Sequence, residues 1–80
     1  MTKLEEKLIE LGYKKDFEYY WEKAKWVNNS FIVYQINKKL KGRLVDCSIS
    51  SQQHIDDLQL AFNEMQKDLE ILKECEENEN

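Results

Sequence analysis

The chain contains no proline, two glycines, two cysteines and one histidine. Two glycines are too few for the loops that cradle phosphates in P-loop and dinucleotide-binding proteins, and neither loop motif occurs. One histidine and two distant cysteines cannot complete a tetrahedral zinc site within one chain. We therefore expect no metal and no other cofactor.

The two cysteines, Cys47 and Cys75, lack the C-x-x-C spacing of redox and zinc motifs. Lone cysteines without a secretory leader are typical of reduced cytosolic thiols, so we expect no disulfide and a cytoplasmic location. The first residues carry a charge every few positions, unlike a signal peptide. No apolar run approaches the roughly 18 residues that a membrane span requires.

Catalytic groups are equally scarce. His54 is the only imidazole and is predicted in the first turn of a helix, where the helix dipole disfavours its charged form. No Ser-His-Asp pattern is marked, and the acidic pairs further along are typical of a solvated helix face. We expect His54 to face solvent and the protein not to be an enzyme.

Charge is divided between two halves of the chain. Residues 14–43 hold eight Lys and Arg against three Asp and Glu, whereas residues 44–80 hold ten acidic residues against two basic ones. The net charge of -4 argues against duplex DNA as the main partner, because phosphate binding favours a basic domain. A local basic patch within residues 14–43 remains available for binding.

Helix signals lie at both ends of the chain. Thr2 and Glu5 match a capping box, and Gly12 is placed to end the helix that follows. Ser50 and Gln53 match a second capping box, before a helix predicted to reach Lys73 or Glu77. We expect the acidic residues 76–80 to fray.

The middle of the chain favours strands. Phe31–Ile36 and Arg43–Ile49 have strand patterns, with turn residues at 28–30 and a lysine-rich turn before Gly42. Residues 16–27 fit both a strand and a helix period. We favour the strand, because the Asn-Asn turn then closes a hairpin. The prediction is one small α+β domain over residues 1–80, with a short N-terminal helix, a three-stranded antiparallel meander and a long C-terminal helix.

The long helix carries an apolar seam at 3-4-3-4-3 spacing from Ile55 to Leu72. A helix of about 25 residues is about 37 Å long, and strands of about 7 residues span about 23 Å. The helix therefore extends beyond the sheet, and the apolar side chains on the extending part are covered either by the first helix or by a second copy of the chain. We favour a homo-oligomer, with an interface at Leu58, Phe62, Met65, Leu69 and Leu72.

Aromatic rings alternate with cations in the basic middle, a pattern that suits a base stacked above a phosphate. The predicted ligand-binding residues are Tyr20, Trp21, Lys23, Lys25, Trp26, Lys39 and Arg43. The alternative is that alternate aromatics form the core face of a sheet while the lysines keep its other face and edges soluble. The acidic helix suggests a further alternative, imitation of nucleic-acid charge.

Residues 3–13 and 55–69 resemble segments of small phage and prophage accessory proteins of low-GC Gram-positive bacteria. The resemblance covers about a third of the chain and carries no catalytic motif. It implies a non-enzymatic counter-defence protein that acts by stoichiometric binding. We predict sequestration of a small anionic, nucleotide-like immune signal in an oligomer cleft. The alternatives are a protein–protein inhibitor of a host defence enzyme and a structural oligomerisation adaptor.

Overall fold

The computed structural model describes residues 2–16, 20–46 and 52–78, with the side chains of residues 46 and 52–54 excepted. The elements are α1 (Lys3–Glu10), β1 (Lys14–Asp16), β2 (Tyr20–Val27), β3 (Ser30–Asn37), β4 (Gly42–Asp46) and α2 (Gln52–Asn78). The strands form one antiparallel sheet in the order β1-β2-β3-β4. The predicted α+β class is confirmed, with one short strand more than expected.

The first helix follows its predicted boundaries. Thr2 accepts from the Glu5 N–H, and the Glu5 carboxylate accepts from the Thr2 N–H, so the capping box is formed. Gly12 has φ +98°, a conformation that favours glycine. The N–H groups of Gly12 and Tyr13 donate to the carbonyls of Ile9 and Leu8, which is a Schellman C-cap. The chain therefore leaves α1 in a fixed direction, towards β1.

The hairpin of β2 and β3 confirms the strand prediction for residues 20–27. Val27 pairs with Ser30 across a two-residue turn, in which Asn28 adopts φ +54°. Asp16 belongs to β1 and pairs with Tyr20, so the predicted single strand from residue 16 is wrong at that end. Sequence pattern missed β1 because its residues, Lys-Lys-Asp, have no apolar alternation.

The turn between β3 and β4 has an apolar residue in an unusual conformation. Leu40 adopts the left-handed conformation, with φ +57°. This costs about 1 kcal/mol for a non-glycine residue. The Leu40 side chain is 4% exposed, and burying a leucine offsets that cost by about 2 kcal/mol. The neighbouring lysines are exposed, whereas the Leu40 side chain packs in the core.

One face of the sheet carries the core. Ile32, Tyr34 and Ile36 of β3 are fully buried beneath α2. The side chains that α2 contributes are Ala61, Met65, Leu69 and Leu72. Leu8 of α1 closes the far end of this core, so α1 covers part of the helix that outruns the sheet. Within the described residues, no helix is long and apolar enough to cross a membrane.

Three predictions involve residues that the structure does not describe. These are the second capping box at Ser50, the end of β4 at residues 47–49, and the orientation of His54. At the other end, α2 continues to Asn78, three residues into the segment that we expected to fray.

Candidate functional site

Strand alternation divides the predicted ligand-binding residues between two faces of the sheet. Trp21, Lys23 and Lys25 are register partners of Ile36, Tyr34 and Ile32, so they lie on the face covered by α2. Tyr20 and Trp26 lie on the opposite face with Arg43, which pairs with Gln35. Lys39 lies in the β3–β4 turn. The seven residues therefore do not form one site.

Lys23 and Lys25 are committed to α2. Lys23 Nζ lies 2.8 Å from Asp68 Oδ2 and 3.7 Å from Glu64 Oε1, and it also donates to the Leu11 carbonyl. Lys25 Nζ donates to both oxygens of Glu64 at 3.0 Å. These ion pairs join the sheet to the helix, so Lys23 and Lys25 are both engaged by carboxylates of α2.

Two tyrosines complete this cluster. The hydroxyl of Tyr13 donates to Asp68 and that of Tyr34 to Glu64, both at 2.8 Å. Their rings flank Lys23, whose Nζ lies 4.6 Å from one centroid and 5.1 Å from the other. Burial, reinforced by these hydrogen bonds to carboxylates, raises the pKa of Tyr13 and of Tyr34. The phenols stay protonated donors at neutral pH.

The carboxylate of Glu64 is shifted in the opposite sense. Partial burial raises its pKa, but hydrogen bonds from Lys25 and Tyr34 and the two lysine charges outweigh burial, and the net pKa is lowered. At neutral pH the cluster thus combines carboxylates, ammonium groups and neutral phenols, all within hydrogen-bond reach. These contacts form one hydrogen-bonded network that joins the sheet to α2.

A second polar contact holds the hairpin turn. Asp57 is 1% exposed and accepts from Asn28 Nδ2 at 2.8 Å and from Ser30 Oγ at 2.7 Å. Together with Glu64 and Asp68 it removes three carboxylates from the acidic surface that charge imitation would use. Helical spacing could have found them, because residues 57, 61, 64, 65 and 68 share one side of α2.

The face of the sheet turned away from α2 is uncovered by any described element. Trp26 is 65% exposed there and lies on Phe31, with ring centroids 5.3 Å apart. Register places five apolar side chains together on this open face: Ala24, Trp26, Phe31, Val33 and Val45. Sequence reasoning included only Trp26, although the alternation of β2 and β3 carried the signal for the rest.

The other end of the open face is polar and basic. Glu22, Gln35 and Arg43 form a hydrogen-bonded row across three strands, and the Arg43 guanidinium lies 5.6 Å from the Tyr20 ring centroid. Shallow clefts here are lined by Tyr20 and by the residues that we call the basic end: Lys38, Lys39, Lys41 and Arg43. Tyr20, Lys39 and Arg43 are thus the predicted ligand residues that the structure does bring together.

The predicted oligomer interface is corrected by burial. Met65, Leu69 and Leu72 are at most 5% exposed inside the single chain, so they cannot contact a second copy. Leu58 is half-buried, and Phe62 is 45% exposed. Helix α1 and the sheet cover Met65, Leu69 and Leu72. Coverage by the first helix is the alternative to an oligomer that the sequence left open.

Among the described residues, no group of three or more His, Cys, Asp and Glu side chains is arranged to hold a metal ion. Comparisons with protein-family models, curated proteins and solved structures give no match. A functional assignment therefore depends on the surfaces described above.

Proposed function

We propose that the protein is a non-enzymatic binding protein that acts stoichiometrically on a protein partner through the open face of its sheet. The observation that carries the proposal is Trp26, which is 65% exposed and lies in the apolar patch of the open face. Tryptophan is enriched among the residues that dominate binding energy at protein interfaces. The exposed part of the Trp26 side chain would be buried only when another molecule binds.

The patch is also held rigid. The Asn28 and Ser30 contacts to Asp57 fix the hairpin beside Trp26 to α2, and Phe31 supports the indole ring. A preformed surface loses little conformational entropy on binding, so more of the buried area contributes to affinity.

Charge defines the partner further. The basic end lies at the opposite end of the open face from Trp26, with Lys39 and Lys41 in the β3–β4 turn and Arg43 in β4. Complementary potentials speed association and fix orientation. The expected partner is a folded protein with an apolar pocket of indole size for Trp26 and with acidic side chains that face the basic end.

The biological setting follows from the resemblance to small phage proteins. In this proposal the protein acts in the cytoplasm of an infected bacterium and disables a host defence protein by occupying its pocket. The proposed mode is protein–protein inhibition. The surface that binds the host protein is the open face of the sheet and not the acidic helix.

The test compares the wild-type protein with Trp26→Lys as bait in host lysate, and Leu60→Lys is the matched control. Leu60 is 54% exposed on the outer side of α2, so both variants place a lysine at an exposed apolar position. We expect one host protein to be retained in a 1:1 complex by the wild type and by Leu60→Lys, and lost with Trp26→Lys. Equal retention by all three proteins, or no retained protein, contradicts the proposal.

A second candidate is sequestration of a small anionic, nucleotide-like signal at the basic end. It is favoured by Tyr20, Lys39 and Arg43, which line adjoining clefts and offer a ring beside cations. A phosphate must there compete with Gln35 for the Arg43 side chain. Calorimetric titration with cyclic di- and trinucleotides and ADP-ribose derivatives tests it, with Tyr20→Ala as the comparison. Absence of heat from every ligand rules it out.

A further inference from the structure

A cleft of about 270 Å³ lies between the start of α1, strands β1 and β2, and the β3–β4 turn. Trp21 lines this cleft and pairs with Ile36, so the cleft is on the face of the sheet that carries the core. Trp26 is on the opposite face. The cleft is thus separate from the surface assigned to a protein partner.

The inner part of the cleft is apolar. Leu8 and Leu40 are buried members of the core, and Leu4 and Trp21 are half-buried against it. Trp21 supplies an aromatic ring, and aromatic rings favour offset-stacked or edge-to-face contact with a second ring. The inner cleft therefore suits a ring of a ligand better than it suits a sugar or a peptide group.

The walls of the cleft are held by hydrogen bonds within the chain. At the start of α1, Thr2 and Glu5 exchange the two hydrogen bonds of the capping box. In the β3–β4 turn, Asn37 Oδ1 accepts from the backbone N–H groups of Lys39 and Lys41 at 2.9 and 3.1 Å. Because both walls are formed without a ligand, binding requires little further ordering of the chain.

The charges at the mouth of the cleft favour an anionic group. Lys15 is the cross-strand partner of Trp21, is exposed, and makes no side-chain hydrogen bond or ion pair in the part of the chain that the structure describes. Lys38 adds a second positive charge. Glu5 also lines the cleft, but its carboxylate accepts the Thr2 N–H. The Lys15 ammonium group is therefore available to a carboxylate of a ligand.

We propose that this cleft binds a small aromatic acid, with its ring against Trp21 and its carboxylate at Lys15. An apolar cavity of about 150 Å³ holds a benzene ring, so the cleft has room for about eleven non-hydrogen atoms. One ring with a short acid side chain is of that size, whereas a nucleotide is much larger. The ligand class thus differs from the nucleotide-like signal considered for the basic end.

NMR of the full chain with hydrocinnamate as the probe tests the site. The two tryptophans give two indole N–H signals, one from each face of the sheet. We expect hydrocinnamate to shift the Trp21 signal and to leave the Trp26 signal in place, with a dissociation constant of about 0.1–1 mM for a ligand of this size. A Trp21 signal that does not move, or equal movement of both signals, overturns the proposal.

Two adjacent lysines of β1 provide a matched pair of variants. Lys15 lies on the cleft side, whereas Lys14 pairs with Glu22 on the opposite face, and both are exposed. Lys15→Gln should weaken hydrocinnamate binding about fivefold, as expected for one solvated ion pair. Lys14→Gln should bind as the wild type does. Equal effects of the two variants overturn the proposal.

The neutral amide of the probe tests the charge separately from the shape. Hydrocinnamamide should bind the wild type about fivefold more weakly than the acid does, and Lys15→Gln should not weaken it further. Equal binding of acid and amide overturns the assignment of an acid. Trp26→Lys should bind hydrocinnamate as the wild type does, so failure of this inference is distinguishable from failure of the proposed function.

Discussion

Lys23 illustrates how much the role of a single residue depends on its surroundings. In the sequence it is one cation among aromatic rings, and a ligand-binding role follows naturally. In the structure its ammonium group is enclosed by Asp68, Glu64 and two tyrosine rings. The partners are 41 to 45 positions away on α2, and no local pattern relates residues at that distance. Long-range pairing is therefore what sequence reasoning lacked at this position.

Glu64 makes the stability of the folded chain depend on pH. Its pKa is lowered in the folded chain, so it contributes stability above its ordinary pKa, and this contribution is lost as pH falls through the folded value. We expect Glu64→Gln to be less stable than the wild type at neutral pH, by at most about 1 kcal/mol because the side chain is over a third exposed. Urea unfolding between pH 7 and pH 3 should show the difference shrinking with acidity. Exposed Glu70→Gln is the control, and a constant difference for Glu64→Gln contradicts this account.

At the scale of elements, strand β2 combines two functions through alternation. Its even positions Tyr20 and Trp26 face the open side, while Lys23 and Lys25 join the sheet to α2. The alternation was visible in the sequence, and β3 was predicted almost to its ends for that reason. The sequence did not show which side of β2 faces α2, because that side carries lysines where apolar residues would indicate a core.

The two lysines of β2 allow a matched test of how the sheet is held to the helix. Lys23 has a side chain 12% exposed, whereas that of Lys25 is 40% exposed. Lys23→Met leaves buried Asp68 without its cation, and removing one partner of a buried pair typically costs about 3–5 kcal/mol. Lys25→Met breaks a solvated pair worth under about 1 kcal/mol. Chemical denaturation of both variants measures the difference, and equal losses would show that the Lys23 cluster does not hold β2 to α2.

The whole molecule is an elongated particle of 44 × 23 × 18 Å with one covered and one uncovered sheet face. A chain of 80 residues has little core to spare, so an exposed tryptophan is costly unless a partner covers it. The sequence predicted the class, the helices and most strands from their periods. It could not place the surfaces, because the choice of face depends on which helix side meets which strand side.

Binding through the open face is the central claim, and hydrogen exchange of the protein in complex with its retained host partner tests it most directly. We expect slowed exchange in the peptides of β2, β3 and β4 that carry Trp26, Phe31 and Val45. The outer side of α2 around Leu60 and Ile71 should exchange as it does in the free protein. Protection confined to α2, with the sheet peptides unchanged, would contradict the account.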